Sequence, residues 1–206
     1  MPSPFEFDLN SQALPSAFYQ QYFYSADAPY SLVLEGNSDR VWHRPFWLWP
    51  VFLLLTWFEI FFPETGENIF TRLQIIGGRD SEGQPYHNWN RTFKFGRDRF
   101  FNARMTYNKE LQAVTERMGP GGLLQIAWRI QFTSPDKLEI SSTKCFVGFG
   151  KRRIYLWPLF YPSVKVIETA LSDDNIHVEL VASHPLLGDI FGYSGTFTLR
   201  RLERSS

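Results

Sequence analysis

The sequence predicts a mainly β fold of α+β type, a curled antiparallel sheet closing into a lipocalin-like β-barrel. Three observations carry this. Leu123–Phe132 (LLQIAWRIQF) and His87–Phe95 (HNWNRTFKF) alternate apolar with polar residues, the period of two that a half-buried strand requires. Turn-forming runs, GGRDSEGQP at 77–85 and MGPGG at 118–122, punctuate such segments. Rings are abundant: 20 Phe, 9 Tyr and 7 Trp make up 17% of the chain, a load that suits strands and lines concave sites as readily as cores.

In chain order, residues 1–12 read as a loose lead-in with Pro2 and Pro4, and 13–206 as a single domain. Ala13–Tyr24 sets Leu14, Phe18 and Tyr22 at helical spacing, with Pro15 or Ser16 opening a packing helix. Ser31–Gly36 follows as a short strand. Next comes Trp42–Phe62, WHRPFWLWPVFLLLTWFEIFF, in which only Pro50, Thr56 and Glu59 interrupt the apolar run after Pro45. A helix from about Pro50 to Phe61, stopped by Pro63 and Gly66, accounts for it. Its 17 apolar-rich residues from Phe46 to Phe62 reach only the lower limit of a membrane span, and Pro50 and Glu59 argue against one. The stretch can lid a cavity, lie on a membrane surface or fill a core. For the second role Trp42, Trp47, Trp49 and Trp57 are interfacial anchors, while Arg40, His43 and Arg44 face lipid phosphates.

Strands are then expected at 69–76, 87–95, 100–107, 111–117, 123–132 and 137–147. Trp89, Thr92 or Phe93, and Phe95 are candidates for the inner face, as are Leu124, Ile126, Trp128, Ile130 and Phe132, then Leu138, Ile140 and Ser142. Leu156–Val164 carries two prolines and reads as an extended bend or a one-turn helix. The last strands fall at 164–171, 176–183 and 196–202, with Pro185–Tyr193 a compact connection. These ten segments are read as a barrel of eight or nine strands, and barrels of about eight can hold one small ligand.

Composition narrows the function. Lys+Arg and Asp+Glu each total 21, so the chain has no net charge and no general affinity for nucleic acid is expected. Cys145 is the one cysteine, which excludes an internal disulfide, and no metal-type Cys/His spacing occurs. Gly77-Gly78 and Gly119–Gly122 lack the strand–glycine–helix context of a dinucleotide site. No cofactor is therefore expected. The acidic start, MPSPFEFDLN, lacks the form of a signal peptide, so a cytoplasmic setting is expected, with membrane association through 42–62 the variant.

Several signals together resemble a bacterial domain-of-unknown-function family, number four-one-six-six. They are Leu14-Pro15, an apolar helix ending at Pro63 and Gly66, Trp89-x-Arg91-x-Phe93, and Glu116-x-x-Gly119-Pro120. The tail adds Ser183-His184-Pro185-Leu186-Leu187-Gly188 and Tyr193-x-Gly195, the most specific part, so the resemblance spans Leu14 to Leu199. That family also occurs C-terminal to short-chain or saccharopine-dehydrogenase-like domains. The resemblance therefore implies a redox-enzyme partner, here in trans, and brings no established activity. This chain departs from the family in the richness of Trp and Phe in its apolar helix.

Individual residues supply the candidate chemistry. Trp89 and Arg91 share a strand face, and an inward Arg91 needs a carboxylate or an anionic ligand, with Glu116 the natural partner. Such a cluster can hold a carboxylate or enolate head group. His184, in a connection near Asp189 and Tyr193, is a candidate for proton transfer. Arg91, Glu116 and His184 are thus the catalytic candidates; Trp47, Trp57, Glu59, Trp89, Phe93, Trp128 and Tyr193 are the ligand-binding ones. Each also has a structural alternative: a buried ion pair, a turn histidine, a carboxyl at a helix end, core rings. Cys145 reads as a small core residue and Lys151-Arg152-Arg153 as a solvated turn. Three functions follow: binding of a lipid-, polyketide- or isoprenoid-like molecule in the barrel; a cyclase or isomerase folding an apolar substrate there; or a peripheral-membrane protein anchored by 42–62.

Overall fold

A computed structural model describes residues 3–5, 14–149 and 152–203. Its elements are α1 (Ser16–Tyr22), β1 (Tyr30–His43), α2 (Trp49–Thr56), β2 (Gly66–Arg79), β3 (Pro85–Lys94), β4 (Asp98–Asn108) and β5 (Ala113–Met118). They continue with β6 (Leu124–Ser134), β7 (Lys137–Phe149), β8 (Arg152–Leu156), β9 (Ser163–Ala170), β10 (Asn175–His184) and β11 (Gly188–Glu203). Hydrogen bonding runs in the order β6-β5-β4-β3-β2-β1-β11-β10-β9-β7-β8, and β6 also pairs with β7. That last pairing closes ten strands into a ring and leaves β8 as an appendage. Every adjacent pair is antiparallel.

Alternation does what the sequence predicts in β3 and in the second half of β6. His87, Trp89, Arg91 and Phe93 are buried while Asn88, Asn90 and Thr92 lie between them, half-buried. In β6 Ile126, Trp128 and Ile130 are buried as expected, but Gln125 and Ala127 are buried as well, next to a register shift between Ala127 and Trp128. In β7 Leu138 and Ile140 are buried and Ser142 is half-buried, where its hydroxyl accepts from the Val164 N–H at 2.8 Å.

Four expectations are corrected. β1 runs seven residues past Gly36, so Trp42 and His43 are strand; a register shift between Ser38 and Arg40 lets the ladder absorb Asp39. The apolar helix ends at Thr56 and a turn follows, with Glu59 at φ 55. The connection after β10 is only 185–187, because Gly188–Tyr193 already belongs to β11. Arg152 and Arg153 begin β8, so at least these two arginines of the basic triplet are strand. Of the N-terminal lead-in, Ser3 and Phe5 are buried, Phe5 edge-on to Tyr22 with ring centroids 4.9 Å apart; residues 1–2 and 6–13 lie outside the described residues.

The two ends of the barrel differ. Where β1 begins, α1 and residues 23–28 close it: Phe18 packs on Phe132, Tyr22 on Trp89, and the Arg79–Asp27 ion pair (2.7 Å) ties the following loop to β2. Where β1 ends, α2 and residues 57–62 cover it. There Leu48 and Phe52 are buried one helical turn apart, and Phe52, Phe61 and Phe62 all pack around Phe191.

β1 and β11 approach closely at Gly36. A Cβ at Gly36 would lie 2.1 Å from the Thr196 carbonyl oxygen, on the backbone of the neighbouring strand. Gly36→Ala should therefore lower stability by roughly 1–3 kcal/mol, the range for forced overpacking. A urea melt with an unchanged midpoint would contradict this close approach.

Candidate functional site

The barrel encloses a cavity of about 300 Å³. Its walls are apolar, with Leu34, Met105, Ile126, Ile140, Val178 and Leu180 among them. At the α1 end the lining becomes polar and sealed: Gln21, Tyr22, Trp89, Arg91, Glu116 and Glu168 are all buried. Six elements supply this cluster with Trp128 and Tyr193: α1, β3, β5, β6, β9 and β11.

Arg91 is its centre. Its Nη1 is 3.4 Å from Glu116 Oε1, and its guanidinium lies 4.8 Å from the Phe101 centroid and 5.3 Å from that of Trp89. Cation–π contacts and one carboxylate thus offset the loss of hydration. Across the cluster Gln21 Nε2 donates to both Glu168 oxygens at 3.3 and 3.4 Å, long for such bonds. Tyr22 and Trp128 sit close enough to Glu168 and Glu116, respectively, to favour the ionised carboxylates, but do not reach full hydrogen-bond geometry. Gln21 Oε1 and Trp89 Nε1 are buried with no partner among the described residues.

Burial dominates the electrostatics. It raises Glu168 from 4.5 to about 7, against the opposing pull of Tyr22, Gln21 and Arg91. It raises Glu116 as well, with Arg91 the main counterweight. Burial also holds Tyr22 and Tyr193 above the ordinary phenol value, so both keep their protons near neutrality. Cys145 lines the cavity, and burial pushes its thiol up to about 12, which leaves it an un-ionised wall residue.

The structure gathers Trp89, Arg91, Glu116, Trp128 and Tyr193 around this cavity. It places the other candidates elsewhere. Phe93 is fully buried behind Tyr193, with centroids 5.3 Å apart. Trp47 and Trp57 face outward, 52% and 82% exposed. Glu59 is on the outer wall, where its carboxylate accepts from Asn102 Nδ2 at 2.6 Å. His184 caps its own turn, Nδ1 accepting the Leu186 N–H at 3.2 Å, and Asp189 is bonded to Ser183 instead. Gln21, Tyr22 and Glu168 were not among the candidates. Their signals were present: Gln21 and Tyr22 share the helix face of Phe18, and Glu168 falls in step with Val164 and Val166 on β9. Among the described residues no three His, Cys, Asp or Glu side chains gather as metal ligands.

The profile of the family described as "Domain of unknown function (DUF4166)" matches residues 14–197. The chain belongs to this family. It is also similar to "Uncharacterized protein YndH" of Bacillus subtilis (strain 168), at 28% identity over 180 residues, covering 84% of this chain and 86% of the relative. The Trp89-x-Arg91 pair, Glu116 before Gly119-Pro120 and Tyr193 before Gly195 come from three strands and meet in the one cluster.

The shifted groups give stability a pH dependence. Folded, Glu168 holds its proton up to about pH 7, whereas the unfolded chain releases it near 4.5. Between those values the folded state binds more protons, so stability falls as pH rises. His87 acts oppositely: burial lowers it from 6.5 to about 4, so stability rises with pH across that window. Glu168→Gln removes the first contribution and leaves the second. The melting temperature of the variant minus that of the wild type should climb from about pH 4.5 to 7 and then level off. A flat difference would put Glu168 at its ordinary value.

Proposed function

We propose that this barrel binds a small neutral amphiphile, its polar group among Gln21, Tyr22, Trp89, Arg91 and Glu168 and its apolar body toward the α2 end. The observation that carries this is a set of incompletely bonded polar atoms at the sealed end of an apolar cavity. Buried polar groups cost free energy unless paired, so a ligand that pairs them gains both affinity and orientation. The volume of about 300 Å³ lies at the small end of ligand pockets. It suits on the order of ten non-hydrogen atoms, at about 30 Å³ for each water-sized unit.

Charge counting supports a neutral head group. Arg91 is the cluster's cation and is already engaged by Glu116, with Glu168 nearby. No surplus positive charge is left for a carboxylate or enolate, the head groups that a free Trp–Arg–Glu cluster would suit. A hydroxyl or carbonyl meets the available donors and acceptors without adding a buried charge.

Decan-1-ol should therefore bind and alter the fluorescence of Trp89 and Trp128, which line the cavity. Decanoate at about pH 8 should bind about tenfold more weakly or worse. Val178→Phe, which fills the cavity, should abolish the alcohol response without loss of fold. Equal affinity for acid and alcohol would overturn the head-group assignment; no response to either would overturn binding itself.

One observation favours a second reading, proton-transfer catalysis on the bound molecule, of the isomerase or cyclase kind. Glu168 at about 7 is matched to exchanging a proton near neutrality. On that reading Glu168→Gln lowers turnover about 100-fold or more while affinity changes little.

A further inference from the structure

The apolar end of the cavity coincides with a surface that the proposed binding does not explain. Two segments form it. One is α2 with its flanks, from which Trp47, Leu54 and Trp57 project, Leu54 at 60% and Trp57 at 82% exposure. The other is β8 and the single turn at Pro158–Phe160, from which Ile154, Trp157 and Phe160 project, Trp157 at 70% and Phe160 at 72%. The turn between β5 and β6 places them on one rim: Gly119 lies against Ile60 and Phe58, and Gly121 against Phe149 at the end of β7.

The cavity opens on this rim. Its lining at the α1 end is buried, Phe5, Gln21 and Tyr22 all at 2% exposure or less. At the other end Leu55, Leu123 and Leu156 are half-exposed, and Phe160 is both lining and open to solvent. The mouth is therefore ringed by aromatic and aliphatic side chains, with Arg44 and Arg152 exposed beside them.

We propose that this rim docks on the surface of a lipid bilayer bearing anionic headgroups, with the mouth held against the membrane. Tryptophan rings flanked by arginine are the chemistry that settles at a headgroup boundary. A patch of this kind is uncommon on a free surface. Insertion is shallow: no helix of the described residues is long and apolar enough to cross a membrane, and α2, of 8 residues, spans about 12 Å against a hydrocarbon core of about 30 Å. Where the bound molecule is the amphiphile proposed above, docking also sets its direction of travel. Headgroups meet the docked mouth first, so the molecule enters polar end leading and reaches the sealed polar end without turning round. Only this direction rests on the binding reading; docking stands without it.

Flotation with vesicles of phosphatidylcholine and phosphatidylglycerol tests docking. The wild type should float, and the variant Trp57→Ser/Trp157→Ser/Phe160→Ser should partition about tenfold less. Its melting temperature should be unchanged, showing that the loss is not one of fold. The decan-1-ol titration runs in parallel without vesicles, so a failure of binding there is distinct from a failure to float. Phosphatidylcholine alone should recruit less protein, because the arginines then lack a counter-charge. A wild type that stays in solution, a variant that floats as well as it does, or a stable dimer by light scattering that the three substitutions dissolve would each overturn the proposal.

Discussion

The structure depends on β7. From Lys137 to Val147 it pairs with β6, while its opposite edge is divided between β9 at Lys137–Ser141 and β8 at Cys145–Phe149. The β9 half completes the ring of ten strands, and the β8 half builds the mouth. Once the ring is closed, every second side chain must point into a space bounded on all sides. Large rings from neighbouring strands cannot all meet at the centre of a barrel this wide, and a cavity is what remains. The aromatic residues then gather at its ends, against α1 and around Phe191, where helices and loops complete their packing.

Placing charge inside such a ring constrains it strongly. Arg91 falls in step with Trp89 and Phe93, so the register that buries those rings buries the guanidinium too. Glu116 on β5 and Glu168 on β9 reach toward it from different sides. Breaking such a pair by removing one partner leaves an uncompensated buried charge, a loss of about 3–5 kcal/mol. A hydrophobic replacement of the pair would pack as well, which makes its presence easier to understand as part of a site than as a fastening.

Much of this was legible in the sequence, and the failures have physical causes. The alternation of residue types in β3 and β6 marks both as strands and marks Trp89, Arg91 and Trp128 as inward, although Gln125 and Ala127 of β6 are buried against that pattern. β1 was cut short because NSDRV, 37–41, is polar and contains the extra residue of a bulge, so the period of two is lost there. β11 was shortened because Gly188–Tyr193 resembles a turn in composition, and only pairing with β10 and β1 makes it strand. Trp47 and Trp57 are expected as lining, yet the inward stripe is Leu48, just before α2, with Phe52 and Leu55 on it, and Trp47, Trp49 and Trp57 are exposed. Glu168 was missed because one acid in a strand reads as a solvent-facing position until its neighbours' directions are known.

The division of labour along β7 also separates the door from the wall. β8 is held by its pairing with β7 and by Arg153 Nη1, which donates to the Gly122 carbonyl at 3.0 Å, and β6, β7 and β9 remain joined without it. None of these bonds, the rungs to Cys145–Phe149 and the one to Gly122, belongs to the ring of ten strands. The edge that borders the mouth and the ladder that closes the ring are thereby separate sets of bonds, so a change in the first leaves the circumference of the second as it is.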